Sequence, residues 1–359
     1  MRPFFVLSQW VDGVITPIAT NSFRMFHPVI KSELSDRPHL LRSWATETNP
    51  GRPLQTTISQ PVTFEGIGLH SGQPARLRVC PAPAHHGIVF RRTDVVGADA
   101  LVRARWDFVS QEPLNTRVVN EAGVSVATIE HLMAALAGSG LHNVLIDIDG
   151  PEVPILDGSS AEFVRGLVAA GTTSLAAPLR AIRVLLTIEV SNGDAVARLS
   201  PSDSLEIDFR IDFADAAIGR QEKTLNMANG AFVRELCDSR TFCRQSDVDA
   251  MHAAGLALGG SLDNAVVVDG AEVLSPGGLR HRDEAVRHKM LDALGDLYTA
   301  GAPILGRYTG SRAGHALTNK LLRALFDHPE AWDWVTCDAR IAARLPGVGV
   351  HFSDLGHVA

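Results

Sequence analysis

The chain has 359 residues, 45% of them apolar and 20% charged, with a formal net charge of −7. That length suggests about two domains with sizeable cores, and the composition excludes a chain that is disordered throughout. The acidic balance offers no general basic field for nucleic acid or an anionic membrane surface, and four cysteines without close pairing indicate neither a disulfide framework nor a thiolate zinc site, so a reducing, cytoplasmic setting is expected.

Residues 1–54 read as an N-terminal extension. Met1–Leu7 starts like a targeting segment, but Ser8, Gln9 and Asp12 interrupt the apolar run before it reaches the ~7–15 residues of a signal core. Residues 31–53 are rich in Ser, Pro, Arg, Glu and Thr, which predicts either a flexible extension or a start upstream of the true one. No window approaches the ~18 continuous apolar residues of a membrane-spanning helix. From Gln55, short alternating segments such as Ala75–Cys80 and Gly87–Arg91, separated by Gly and Pro turns, predict strands of a half-exposed sheet. Thr128 opens a helical pattern with Ile129, Leu132, Met133 and Leu136 on one face, ended by Gly138 and Gly140. A strand over Asn143–Asp149, a loop over Gly150–Ser160 and a second helix over Ala161–Ala170 follow. Beyond Pro178 the order repeats, with strands at Leu179–Leu186 and Leu205–Phe213 and helices around Ala285–Thr299 and Gly314–Phe326.

Two related halves joined near Ala176–Pro178 are therefore expected, as α+β domains over 55–178 and 179–335, with a tail over 336–359. Strands grouped ahead of paired helices favour layered α+β over a doubly wound parallel sheet. No Gly-x-Gly-x-x-Gly or Walker-type loop supports the latter.

The chemistry concentrates in Val286–Asp296. His288, Asp292 and Asp296 recur at i, i+4 along one helix face, while Val286, Met290, Ala293, Leu294 and Leu297 occupy the opposite arc. The ionisable face is thus expected to lie off the ordinary core. The equivalent helix of the first half begins Glu130–His131, and Ala134, Ala135 and Gly138 share the His131 face, which would let a second helix approach closely. One site shared by two halves is the inference. An imidazole one turn from a carboxylate is also a common surface or capping pair, and small residues on a helix are commonly packing, so both readings stay open on these residues alone. As a metal site, His131, His288 and Asp292 offer three N/O ligands for zinc and leave a fourth position for water. Fe2+ can occupy such a set too. Glu130, beside a ligand, is placed to take a proton from an activated water. His315 would protonate a departing amine if a carboxylate keeps it charged, and Asp296 is the candidate partner. Lys289 would stabilise an oxyanion or engage substrate, or is a solvated helix charge.

Several long motifs in one order carry a family resemblance: Gly66–Gly72, Thr128–Leu132, Pro154–Ser159, Ser239–Phe242, Leu256–Ser261, Arg287–Asp296 and Gly314–Leu317. From about Gln55 to Trp334 the chain resembles the zinc-dependent UDP-3-O-acyl-N-acetylglucosamine deacetylases of lipid A biosynthesis. The resemblance implies a cytoplasmic, monomeric enzyme of two similar β-α-α-β sandwich domains, helix layers packed together and the site between them. It implies His131, His288 and Asp292 as zinc ligands, Glu130 as general base, and His315 as general acid with Asp296 as its partner. Thr241 resembles the residue that stabilises the oxyanion, Phe242 and Lys289 resemble substrate contacts, and Phe213 resembles an aromatic that stacks on uracil, with core packing as its alternative. An insertion over about 243–274 would form the acyl passage. There the chain departs from the family, with Cys243-Arg244-Gln245 where a glycine and bulky apolar residues are usual. Asn115 stands where some members carry a cysteine that can bind inhibitory zinc. Two rivals remain: a metal amidohydrolase for another N-acetyl sugar, lacking the acyl passage, and a non-catalytic nucleotide-sugar or lipid-binding module, indifferent to loss of Glu130.

Overall fold

The computed structural model describes residues 52–97, 99–111, 114–351 and 353–354; nearly all of the expected N-terminal extension lies outside the described residues. Helices among the described residues are α1 (Glu130–Gly138), α2 (Ala161–Ala170), α3 (Ala231–Glu235), α4 (Gln245–Ala253), α5 (Glu284–Tyr298), α6 (His315–Phe326) and α7 (Ala339–Ala342). None is long and apolar enough to cross a membrane.

The first half builds a sheet in the order Val62–Ile67, Pro74–Pro81, Val144–Ile148, Ile88–Arg92, Leu101–Arg103. Ile88–Arg92 and Val144–Ile148 run parallel, and the other neighbours are antiparallel. Alternation sets its faces: along Pro74–Pro81, Ala75, Leu77 and Val79 are buried while Arg76 and Arg78 are exposed, as a pleat with one solvated side requires. The second half orders Ile188–Asn192, Ala195–Ser200, Ile304–Ser311, Arg180–Val184 and Trp332–Thr336. Leu205–Asp212 lies parallel to Ile304–Ser311 and carries Arg220–Asn226 beside it. Leu54–Ile58 pairs with Thr172–Pro178, Leu54 opposite Pro178, so the two ends of the first half are tied together.

Helices fill the space between the sheets. α2 packs on Val62–Ile67 and on α1, α1 packs on α5, and α5 packs on α6 and on Leu205–Asp212. The result is the α+β layering expected from the repeated order, and α2 begins and ends where the periodicity places it.

Four features differ from the sequence reading. α1 starts at Glu130, because Thr128 sits at φ 57°, a left-handed conformation that no helix can include. The His288 face of α5 is buried like the apolar face, since α1 covers it: His288, Asp292 and Asp296 are 2%, 4% and 4% exposed. Gly138 does not serve the α1–α5 contact, because its open side faces the ring of Phe232. The segment expected as a tail is partly structural, since Cys337 and Leu345 bury against Leu179, Ala181 and Leu305. α3 and α7, five and four residues long, are too short for periodicity to announce a helix, and α4 buries none of its residues and so carries no apolar stripe.

Candidate active site

Gly295 decides how closely the two halves approach. A Cβ there would collide with the Glu130 carbonyl oxygen and would sit 2.9 Å from the Glu130 carbonyl carbon and 3.1 Å from the Ala134 nitrogen. Only a hydrogen lets α5 lie directly on the first turn of α1. That contact places His131 of α1 opposite His288 and Asp292 of α5, which stand one turn apart on one face.

The three ligand candidates lie within 4.8 Å of one another, all buried. Asp292 Oδ1 is 3.3 Å from His288 Nε2 and 3.6 Å from His131 Nε2, yet accepts no hydrogen bond. An ion ~2.0–2.2 Å from each ligand in a tetrahedral set would space ligand atoms about 3.3–3.6 Å apart, so the cluster fits a small divalent cation. The tautomer fits as well. His288 Nδ1 bonds the Ser239 carbonyl at 2.9 Å, which puts the proton there and leaves Nε2 bare. Burial lowers the His288 pKa to about 4, keeping the imidazole a neutral ligand. Burial opposes ionisation of Asp292, but His288 and Lys289 outweigh it and hold this carboxyl well below the usual range. Lys289 Nζ donates to Asp292 Oδ2 at 2.8 Å; burial disfavours its charge, but Asp292 more than offsets this and its pKa is raised.

Around this cluster stands a second set of titratable side chains. Glu130 is buried, and that burial raises its pKa even though His315 and His131 pull the other way. Its Oε2 accepts the Thr116 amide at 3.0 Å, and its Oε1 lies 3.9 Å from His315 Nε2. His315 opens α6, and its Nδ1 bonds Asp296 Oδ2 at 2.9 Å. Burial would lower the His315 pKa, but Asp296, Glu130 and Asp292 together raise it to about 9. The ring is therefore protonated at neutral pH, its Nε2 facing the space between Glu130 and Asp292 Oδ2, each 3.9 Å away.

The Ser239–Phe242 segment is strapped over α5. Ser239 receives His288, and Arg240 forms a buried pair with Glu284, the first residue of α5, through Nε at 2.9 Å and Nη2 at 3.2 Å. Thr241 donates its amide to Gly158 and makes no side-chain hydrogen bond to another described residue. The Phe242 ring lies edge-on to His288 with centroids 6.3 Å apart, and Phe213 lies edge-on to Phe242 at 5.5 Å. The site residues named from the sequence thus stand at this cluster or, for Thr241 and Phe242, in the segment bordering it, whereas Phe213 is linked to it through the Phe242 ring and packs against the core. Where the chain departs from the family at Cys243-Arg244-Gln245, Arg244 is drawn into a bidentate pair with Asp247 at 2.7 and 3.0 Å.

Sequence reasoning missed Thr116, Arg240, Glu284, Glu152 and His70. Glu152 holds the Gly66–Gly72 loop by accepting the His70 and Ser71 amides, each at 2.8 Å, and also accepts the Thr128 hydroxyl. It thereby steadies the strained Thr128, two residues ahead of α1. The same loop carries the half-buried His70, whose ring nitrogens are both shielded and unpartnered and lie within electrostatic reach of His315. The only sequence signal was membership in the Gly66–Gly72 motif.

Two helix-bearing sheets with a His–His–Asp cluster, a buried carboxylate and a carboxylate-backed histidine between them form the arrangement that a metal-dependent hydrolase requires. Comparison with known proteins narrows the class. The family model for UDP-3-O-acyl N-acetylglycosamine deacetylase (LpxC) matches residues 55–327, and the chain belongs to that family. A UDP-3-O-acyl-N-acetylglucosamine deacetylase of Phenylobacterium zucineum is 50% identical over 278 residues, 77% of this chain and 95% of the relative. Proteins of the same name from Shewanella frigidimarina and Shewanella oneidensis are 42% and 43% identical, each over 83% of this chain and 99% of the relative.

Proposed function

We propose that this enzyme is a zinc-dependent deacetylase that hydrolyses the N-acetyl group of UDP-3-O-acyl-N-acetylglucosamine, releasing acetate and UDP-3-O-acyl-glucosamine, the committed step of lipid A biosynthesis. One observation carries the reading: Glu130, His131, His288, Asp292 and the Asp296–His315 pair, drawn from both halves of the chain, meet in one buried cluster. The shared name of its relatives supports the substrate.

Held by His131, His288 and Asp292, zinc would activate a water and polarise the acetamide carbonyl; Fe2+ suits the same donors. Glu130 takes the proton of the attacking water through Oε1, because Oε2 is engaged by Thr116. The Lys289 ammonium and the Thr241 hydroxyl are the donors for the oxyanion. His315, kept charged by Asp296, passes its Nε2 proton to the departing amine, after which the Asp296 hydrogen bond keeps the neutral ring in place. Phe242 and Lys289 contact the sugar, and Phe213 faces the uracil. Residues 243–274 form the acyl passage: α4 buries none of its residues, which leaves half-buried Val248 and Met251 available to a hydrocarbon chain. The reading extends to a cytoplasmic monomer with domains at 55–178 and 179–335.

The test is metal analysis of the purified protein with acetate release from acylated and unacylated UDP-sugar, with and without chelator. Stoichiometric zinc, chelator-sensitive release and dependence on the acyl chain are expected. Equal turnover of both sugars would favour the general N-acetyl-sugar amidohydrolase.

A further inference from the structure

We infer that Thr116 is a positioning residue that sets the general base and the general acid in register, an inference that rests on the roles proposed for Glu130 and His315. Those two groups start different helices, α1 and α6, and the partner of His315 lies on a third, α5. Nothing within any one helix fixes their mutual geometry. Thr116, 3% exposed and just ahead of strand Arg117–Val119, touches the set three times. Its carbonyl accepts the Ile129 amide at 3.2 Å, which fixes its backbone to the start of α1. Its own amide donates to Glu130 Oε2 at 3.0 Å, and its hydroxyl donates to Asp296 Oδ1 at 2.5 Å.

Each contact has a consequence for proton transfer. With Oε2 held by the Thr116 amide, rotation of the Glu130 carboxylate costs that hydrogen bond, and Oε1 is the oxygen left facing His315 Nε2. The Thr116 hydroxyl anchors the Asp296 carboxylate through Oδ1, and His315 Nδ1 bonds that carboxylate at both oxygens, at 2.9 Å to Oδ2 and 3.2 Å to Oδ1. The ring is thereby held with Nε2 toward the reacting space. One residue therefore spans the distance over which a proton enters at the base and leaves at the acid. Its hydroxyl is the part of this strap that side-chain substitution can remove, since both other contacts are made by the backbone.

The experiment compares wild type, Thr116→Val and Thr116→Ser for metal content and for kcat and KM in acetate release. Thr116→Val keeps the shape and removes the hydroxyl. It should keep wild-type metal content and KM within about twofold while kcat falls roughly 10- to 100-fold, the usual cost of losing an outer hydrogen-bond partner. Thr116→Ser, which restores the donor, should return kcat to within about threefold of wild type on the same principle. Added to Asp296→Asn, Thr116→Val should cost little more, because the hydroxyl acts through that carboxylate. Wild-type kcat in Thr116→Val overturns the inference, as does equal loss in both variants, which marks a packing role. Loss of metal in Thr116→Val overturns it too, since the strap touches no ligand. Absence of acetate release by the wild-type enzyme would instead refute the proposed function, so the two failures are separable.

Discussion

Gly295→Ala is a one-carbon change outside the chemistry that should nevertheless disable it. The added Cβ meets backbone on the first turn of α1, the Glu130 carbonyl group and the Ala134 nitrogen, and no flexible side chain is there to move aside. Ordinary carbon contacts of ~3.5 Å can be recovered only if α1 and α5 part by on the order of 1 Å. Overpacking of this kind costs about 1–3 kcal/mol, partly offset by about 1 kcal/mol of better helix propensity. The larger effect is on function. His288 and Asp292 share α5 and keep their 3.3 Å spacing, whereas the 3.6 Å gap from Asp292 to His131 crosses the helix pair and must open. Metal affinity should fall, and kcat/KM should drop on the order of 100-fold, the effect of a 1 Å misplacement. Competition with a chromogenic chelator measures the first, acetate release the second and thermal unfolding the third. Wild-type metal affinity and activity in a folded Gly295→Ala protein would show that the halves do not need this contact.

Further expectations concern single groups. Glu130→Gln should lose turnover by roughly 10²–10⁴-fold while retaining metal, and a variant as active as wild type would remove Glu130 as the base. His288→Ala should lose metal as well as activity, as read by metal content after dialysis. Activity against pH should be bell-shaped: ionised Glu130 is gained as pH rises past its burial-raised pKa, and protonated His315 is lost as pH rises through about 9; a monotonic profile would break the pairing. Glu284→Ala should destabilise by about 3–5 kcal/mol in denaturant titration, because Arg240 is left charged and buried. Burial lowers the His142 pKa from its ordinary 6.5 to about 4, so the unfolded chain binds this proton more readily. The stability it protects is complete above about pH 6.5, is lost as pH falls through about 4, and amounts to roughly 2 kcal/mol of loss by pH 5; His142→Gln should flatten that dependence in unfolding measured at pH 7 and pH 5.

Much of the site was legible because its residues carry local signals. The i, i+4 spacing of His288, Asp292 and Asp296 names a helix face, Glu130 and His131 stand side by side, and the strand-then-helix order repeats on either side of Pro178. Thr116 carries no such signal, since its importance comes from a hydrogen bond to Asp296, 180 residues away. The Arg240–Glu284 pair is hidden for the same reason, spanning 44 residues. Of the small residues on α1 that predict a close helix approach, Ala134, Ala135 and Gly138, Ala134 lies at the α5 contact and Gly138 turns toward Phe232, while the glycine the crossing requires is Gly295 of α5.

Residue order alone indicated the α+β class and the repeated strand-then-helix order, and it picked out residues whose side chains suit metal binding and proton transfer, since periodicity and side-chain chemistry are local properties. Only the folded chain decided that the ionisable face of α5 is buried against α1, that His288 is neutral while His315 is charged, and which oxygen of Glu130 is left facing His315. Those outcomes depend on burial and on neighbours brought in from distant parts of the chain, and burial and proximity exist only once the halves have packed.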